Sequence, residues 1–544
     1  MEKYKYIIAV SLLFFPLLVK TDSLPVLIDF APNYSNYWLK SNQVLGFNII
    51  CQDDGELDYQ WTVDGVQKSN EQSFNLNGSD YDLGNHEVKG VCDDGAGGQA
   101  EKTFNLEIID ESDFVLAVLP DTQNYTFADA YMGADFKLFQ SQTNWIKEVK
   151  ENLGIVFVAH EGDVVNHSGN EELFEEQWAI ADASMDILDG VVPYGVAVGN
   201  HDYDNKLHDN RDTTYFNQYF SPARFQQFFP ENFVGNFNGS DATHFNFDHQ
   251  GLKFSVIFLP FCPTDGAVDW LDQALQNVGD RRVIFVTHSY INKQGKRIDD
   301  VVNIANFGGI CGPDLHPVAI DGNTGEEIWQ KVLKKYPNVF LTLNGHSHGA
   351  PAGYEAAYST AYGAKGNKVN QVFANYQNTT TFYGGNGFLR IMRFSPNENR
   401  IYVSTYSPSL DRFLTEWNGD PSYNARNNFE FDYLMKAPAI SNTSAVPGVN
   451  SARIVWSTDF ESTSRVKYGR TGQFGYEVKS DLLTKNKTLT LERLSPSTRY
   501  YYSVESCDPV GNCSTGPAQN FITLQQSSDG PALPAIRAPL PEAF

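Results

Sequence analysis

Basic residues are scarce in this chain of 544: 40 Lys and Arg stand against 66 Asp and Glu, a formal net charge of −26. So little positive charge excludes nucleic acid as an electrostatically held partner, because phosphate backbones are gripped by Lys and Arg. An anionic ligand must instead be drawn in by local cations such as metal ions, not by the field of the whole protein. Cysteine is sparse too. The six present never form Cys-x-x-Cys, which excludes zinc or redox sites built on that spacing. Beyond the N-terminus no segment is apolar enough to cross a bilayer. What the chain does have is 41% hydrophobic and 14% aromatic residues, ample for packed cores and against wholesale disorder. Its length suggests about three domains.

The N-terminus reads as an export signal. Lys3 and Lys5 precede an almost wholly apolar run from Ile7 to Val19, and polar Lys20-Thr-Asp-Ser follows. The run is short for a membrane span and has the charge, apolar core and polar boundary of a signal peptide over 1–23. No clear A-x-A cleavage site is present, so an uncleaved anchor is the alternative. The cysteines fall in three well-separated pairs, Cys51 with Cys92, Cys262 with Cys311 and Cys507 with Cys513, which together with export favours disulfides. The expected location is secreted, periplasmic or at the cell surface, with no membrane span once the signal is removed.

The pattern of the text divides the chain. Over 24–112, short alternating runs such as Val44-Leu-Gly-Phe-Asn-Ile-Ile and Tyr59-Gln-Trp-Thr-Val are separated by Asp53-Asp-Gly and Asp93-Asp-Gly, the signature of strands and turns. The order Cys51, Trp61, Cys92 resembles immunoglobulin-like sandwiches. Over 113–436 the pattern changes. Apolar Phe114-Val-Leu-Ala-Val-Leu and Gly154-Ile-Val-Phe-Val-Ala read as strands buried on both faces. Helical stretches over 134–152 and 171–188 alternate with them, and Tyr194-Gly-Val-Ala-Val follows. That alternation predicts an α/β domain. From 437 to 524 the text is β-like again, with Arg453-Ile-Val-Trp-Ser-Thr and Ser464-Arg-Val-Lys-Tyr-Gly among the runs. It resembles a fibronectin type III sandwich in Leu494-Ser-Pro-Ser-Thr-Arg-Tyr-Tyr-Tyr and Asp508-Pro-Val-Gly-Asn. The stretch 525–544 reads as a disordered tail.

In open α/β sheets, ligands bind beyond the carboxyl ends of strands. Five such ends carry metal-competent side chains: Asp121-Thr-Gln123, Gly162-Asp163, Gly199-Asn200-His201-Asp202, Thr287-His288 and Gly345-His346-Ser-His348. Carboxylates and imidazoles hold first-row divalent metals, and the glycines before Asp163, Asn200 and His346 permit tight turns. With seven candidate ligands and a carboxylate able to bridge, two metals fit better than one.

These motifs, in this order over roughly 114–407, resemble the calcineurin-like metallophosphoesterases. The resemblance implies a four-layer α/β/β/α sandwich, here flanked by two all-β sandwich domains. It implies that Asp163 bridges two metals, that Asp121, Gln123 and His348 hold one, and that Asn200, His288 and His346 hold the other. His201 would lie near the leaving group, with Asp202 orienting its ring. Gln123 departs from the family, which usually has His there. A neutral amide oxygen is a weaker donor, so a looser first metal, a shift toward oxygen-preferring ions, or a place outside the ligand set is expected. Purple acid phosphatases, close relatives of the family, also lack His at this point.

The implied cofactors are two divalent or trivalent metal ions (Mn, Fe or Zn), and the implied partner is a small phosphate ester attacked by a bridging water. A phosphatase is the favoured reading. The alternatives are a phosphodiesterase or nucleotidase on the same scaffold, or a non-catalytic surface adhesion protein working through its β-sandwiches, which could make cell-surface or extracellular contacts in either case. His160 could support the metal site or fill a structural role. His167, His208, His244, His249 and His316 read as surface or loop residues, although one in the insert between Asp202 and Lys253 could reach a substrate; Arg211 and Arg224 could contact a phosphate, with surface placement favoured. Tyr376-Gln377 and Gly384-Gly-Asn-Gly387 could line the site, but turns and core contacts explain them equally.

Overall fold

The computed structural model describes residues 24–126, 137–169, 174–204, 211–299, 322–347, 355–377, 385–416, 422–509 and 511–526. The expected signal over 1–23 and nearly all of the expected tail lie outside the described residues. Two compact units divide the chain, 1–111 and 112–544.

In the first unit, strand Val44–Gln52 alternates buried and exposed residues, turning Leu45, Phe47 and Ile49 inward as the two-residue pleat requires. It lies between Val26–Ala31 and Ser73–Asn77 in a three-stranded sheet. A five-stranded sheet, containing Asp58–Val63 and Gly84–Asp93, forms the second layer. Disulfide Cys51–Cys92 joins the two sheets. Trp61 is fully buried, its ring within 6.4 Å of those of Phe47, Phe74 and Phe104.

The second unit is built on two seven-stranded sheets. In the first, Phe114–Leu119, Ile155–His160 and Tyr194–Val196 are parallel neighbours. Helices Lys137–Leu153 and Phe174–Met185 make the crossovers between them, close to their expected bounds. The hairpin Leu389–Ser395 and Arg400–Ser407 completes the centre of this sheet, pairing antiparallel to Phe114–Leu119. In the second sheet, Leu252–Leu259, Arg282–Thr287, Val339–Asn344 and Lys368–Asn375 are parallel in that order.

Side-chain parity explains the layering. Along Leu252–Leu259, Phe254 and Phe258 face the other sheet, where Phe254 meets Phe114 at 5.5 Å and Phe258 meets Phe157 at 6.3 Å. Ile257 and Leu259 face the opposite way, into a cluster with Leu271 and Leu275 of helix Asp265–Asn277 and Ile328 and Trp329 of helix Gly325–Lys331. On the far side Trp145 of helix Lys137–Leu153 packs on Tyr406 at 5.3 Å. Two sheets face to face with helices outside them make the α/β/β/α sandwich. No helix among the described residues is long and apolar enough to cross a membrane.

The C-terminal strands form one hydrogen-bonded sheet folded over a core of Ile454, Trp456, Val466, Tyr502 and Phe521. Here the sequence reading needs correction: its two runs over 453–458 and 464–469 are one strand, Ala452–Gly469. The register shifts between Ser457 and Ser464. Bulged residues interrupt the ladder there: Tyr476–Leu491 runs along both halves of the strand, while on the other edge Ile440–Pro447 pairs with the first half and Arg499–Cys507 with the second. Disulfide Cys507–Cys513 clips the hairpin between Arg499–Cys507 and Cys513–Thr515.

Candidate metal centre

Parallel pairing sets the carboxyl ends of the strands along one edge of each sheet. Asp121 follows Phe114–Leu119, Asp163 follows Ile155–His160, Asn200 follows Tyr194–Val196, His288 follows Arg282–Thr287 and His346 follows Val339–Asn344. One ligand atom each from Asp163, His288 and His346 lies within 4.8 Å of the others. Nε2 of His288 is 3.1 Å from Oδ2 of Asp163, 3.2 Å from Nδ1 of His346 and 4.0 Å from Oδ1 of Asp121. Its other nitrogen is committed, because Nδ1–H donates to the Glu161 carbonyl at 2.8 Å. That bond orients the ring and turns Nε2 toward the carboxylates.

Gln123 and Asn200 fit a cation as well. Gln123 Oε1 and Asn200 Oδ1 are buried and accept no hydrogen bond from the described residues. A buried carbonyl oxygen without a donor costs roughly 1–3 kcal/mol, a cost that an oxygen-ligated cation removes. His348 lies outside the described residues.

His201 sits beside this cluster, its backbone N–H donating to Oδ1 of Asp163 at 3.0 Å. Asp202 does not orient its ring as expected. The Asp202 carboxylate accepts the backbone N–H groups of Val164, Val165 and Gly199 at 2.8, 3.1 and 2.7 Å. It ties the Asp163 loop to the Asn200 loop through these buried amides. Nδ1 of His201 instead donates to the Asn166 carbonyl at 2.8 Å.

The glycines act differently from the expectation too. Only Gly162 is left-handed, at φ +97°, whereas Gly199 and Gly345 serve close approach. A Cβ at 199 would lie 2.1 Å from Oδ1 of Asp163, and one at 345 would lie 2.2 Å from Oδ2 of Asp121. The left-handed conformations fall on the ligand candidates themselves: φ is +41° at Asp121, +53° at Asp163 and +71° at His346. Non-glycine residues held there are strained, which is common where a site needs fixed geometry.

Comparison with known proteins bears on the same segment. The family model for calcineurin-like phosphoesterases matches residues 114–350. Those residues are a calcineurin-like phosphoesterase domain. Beyond the domain, the chain is 26% identical over 412 residues to the uncharacterized protein YvnB of Bacillus subtilis (strain 168), covering 75% of this chain and 27% of that protein. It thus spans about a quarter of the length of the curated relative it matches. Among solved structures, the purple acid phosphatase PPD1 of yellow lupin (Lupinus luteus) seeds is similar at 13% identity and TM-score 0.37, covering 76% of this chain and 75% of its own. GAP50, the anchor in the inner membrane complex of Plasmodium, is similar at 11% identity and TM-score 0.30, covering 60% of this chain and 90% of its own.

The electrostatics of the phosphoesterase domain call for positive charge at its centre. Asp121, Glu161, Asp163 and Asp202 are each at most 1% exposed. Burial raises Asp121 well above the usual carboxylate range, with His288 opposing. Burial also raises Glu161, with Asp121 adding to it and Arg390 opposing. Asp202 is pushed up to about 7 by burial and then by Asp163. For Asp163, burial is outweighed by His288 and His201, which hold it below the ordinary range. Burial would lower His288, yet the Asp163 carboxylate pushes it up to about 9. Without metal, the proton on His288 is thus the cation this cluster recruits.

His160 joins two ligand loops. Its Nδ1 accepts the Gly162 N–H at 3.1 Å, so Nε2 carries the hydrogen and donates to Thr122 Oγ1 at 2.9 Å. Burial pushes the ring down to about 3, keeping it neutral in that tautomer. Two neighbours escaped the sequence reading. Phe261 packs its ring 4.9 Å from that of His346, and Asn375 Nδ2 donates to the His346 carbonyl at 3.1 Å. Both stand at or just beyond a parallel strand's carboxyl end, the rule already applied to five other loops. Three residues expected at the surface are elsewhere. His244 is 6% exposed inside strand Ala242–His249, and the half-buried His249 packs its ring 4.7 Å from that of Phe114. Arg224 is buried among Asp182, Asp186 and Asp189. Tyr376 and Gln377 are buried as well, and Gln377 accepts from Asn124 at 3.4 Å.

Proposed function

We propose that the chain is an exported, metal-dependent phosphoesterase, working as a phosphatase on small phosphate esters at a two-metal site. The observation that carries the reading is the convergence of Asp163, His288 and His346 within 4.8 Å, with Asp121 beside them and two buried amide oxygens that lack partners among the described residues. Asp121, Gln123 and His348 would hold one ion and Asn200, His288 and His346 the other, with Asp163 between them. Such a pair, when bound, supplies an activated water and a clamp on the phosphoryl oxygens.

The chain's own residues then have distinct tasks. His288 is held in one orientation by the Glu161 carbonyl. With Nδ1–H of His201 given to Asn166, proton exchange with a leaving-group oxygen falls to Nε2. Phe261 keeps an apolar wall against His346, limiting water on that side. Asp202 holds the two loops in register through three backbone amides. Cys51–Cys92 and Cys507–Cys513 suit an oxidising compartment outside the cytosol. The sandwiches over 24–112 and 437–524 are proposed as immunoglobulin-like and fibronectin type III-like modules.

The test combines elemental analysis with turnover of para-nitrophenyl phosphate and its bis ester, supplied with Mn²⁺, Zn²⁺, Fe or Mg²⁺. About two metals per chain and faster monoester hydrolysis are expected. Asp163→Ala is expected to lose turnover by about three orders of magnitude or more while keeping its circular dichroism spectrum. Near-wild-type activity in that variant sinks the proposal.

A further inference from the structure

Arg282 opens the strand that ends at His288, so its guanidinium lies at the other end of the sheet, about 20 Å from the metal centre at the usual rise per residue. It is 8% exposed. Its Nη2 donates to the Met435 carbonyl at 3.0 Å and to Oδ1 of Asn512, both neutral oxygens, and Nε is buried with no acceptor. Asp508 stands one contact further away, behind Asn512, whose Nδ2 donates to it at 2.6 Å. Among the described residues this guanidinium cation has no directly bonded anion, a costly arrangement for a buried charge.

That cation borders a cleft of 820 Å³ where the phosphoesterase domain meets the C-terminal sandwich, a size that suits a small organic ligand. Lys253 and Lys436 also line it, against the single acid Asp280, which pairs with Lys253 at 3.1 Å. The cleft is therefore net positive in a chain of net charge −26. The rest of the lining is mixed: apolar Leu252, Pro337 and Ala437 stand among polar Gln250, Gln276, Asn338 and Asn397, and the stacked rings of Phe340 and Tyr433, 4.0 Å apart, close the buried floor.

We propose that this junction cleft is a binding site for a small amphiphilic oxyanion, a carboxylate or phosphate head on an apolar body. Its head is neutralised by Arg282 and Lys436, and its body lies along Leu252, Pro337 and Ala437, the apolar lining residues that are not buried. The site is separate from the metal centre and does not depend on the reading of that centre.

Isothermal titration of the full chain with benzoate, phenyl phosphate and uncharged benzyl alcohol tests it. The Asp163→Asn variant serves as host, so that capture at the metal centre is removed. One anion per chain with Kd below about 1 mM and no saturation by the alcohol is expected. The tighter of the two heads identifies the natural source, and either supports the site. Arg282→Gln should weaken binding at least tenfold. Because that change also removes contacts to Met435 and Asn512, the exposed Lys436 provides a second probe, and Lys436→Glu should weaken binding severalfold with an unchanged melting temperature. Absence of a saturable isotherm for both anions overturns the proposal, as do isotherms that neither substitution moves.

Discussion

Replacing Gly345 by alanine changes one methyl group and no charge, yet it is aimed at a ligand candidate. The new Cβ would lie 2.2 Å from Oδ2 of Asp121, about 1 Å inside an ordinary contact, so the carboxylate must give way by about that distance. The backbone at 345 is not left-handed, so alanine adds no torsional strain there. Asp121 has little room to move, because it is 1% exposed and its oxygens accept the His346 N–H at 3.1 and 3.3 Å. A misplacement of about 1 Å at a reacting centre costs on the order of 100-fold in rate, or about 2.7 kcal/mol of barrier. The global cost should stay within the ~1–3 kcal/mol usual for overpacking. The expected result is therefore a folded protein with turnover of para-nitrophenyl phosphate down about 100-fold and weakened retention of one metal under chelator challenge. Wild-type turnover and metal retention together would refute the argument that Gly345 exists to admit Asp121.

Two further outcomes are expected. Gln123→Leu removes a buried oxygen that has no partner among the described residues, so the metal-free protein should melt about 1–2 °C higher, from a gain of about 1 kcal/mol. The same variant should bind metal more weakly, and a lower melting temperature without metal would show that Oε1 has a protein partner after all. In the metal-free chain, stability should also fall as pH rises. His288 is raised from 6.5 to about 9, so its contribution is fully present below pH 6.5 and lost as pH climbs through 9. Asp202, raised to about 7, favours the folded state in its protonated form and acts in the same direction, while depressed Asp163 matters only in acid. Denaturant midpoints measured with chelator from pH 6 to pH 9 check this, and a flat or rising profile contradicts it.

Much of the site was legible because its logic is linear. A buried parallel strand announces itself as an apolar run, as in Phe114–Leu119, and the residue types just beyond the run report what its carboxyl end presents. Asp121, Asp163, Asn200, His288 and His346 were all found in this way. The rule also reached too short a distance. Asn375 and Phe261 occupy the same kind of position, but an asparagine or phenylalanine after a strand carries no distinctive chemistry until its neighbour is known. The task of Asp202 was misread for a related reason. Adjacency to His201 suggested a side-chain pair, whereas backbone amides of a loop 37 and 38 residues away claim its carboxylate.

Composition, period and spacing by themselves determined the α/β class of the central domain, the β character of its flanks, the disulfide pairs Cys51–Cys92 and Cys507–Cys513, and the identity of most ligand candidates. These are properties that neighbours along the chain impose, through apolar periodicity and the small menu of turn and ligand residues. Only the tertiary structure decided which glycines make room for carboxylates, which imidazole nitrogen faces inward, and where a buried arginine meets no anion among the described residues. Those outcomes depend on distances between residues far apart in sequence. They arise when the packed sheets bring such groups to within a few ångströms, where low dielectric makes each contact count.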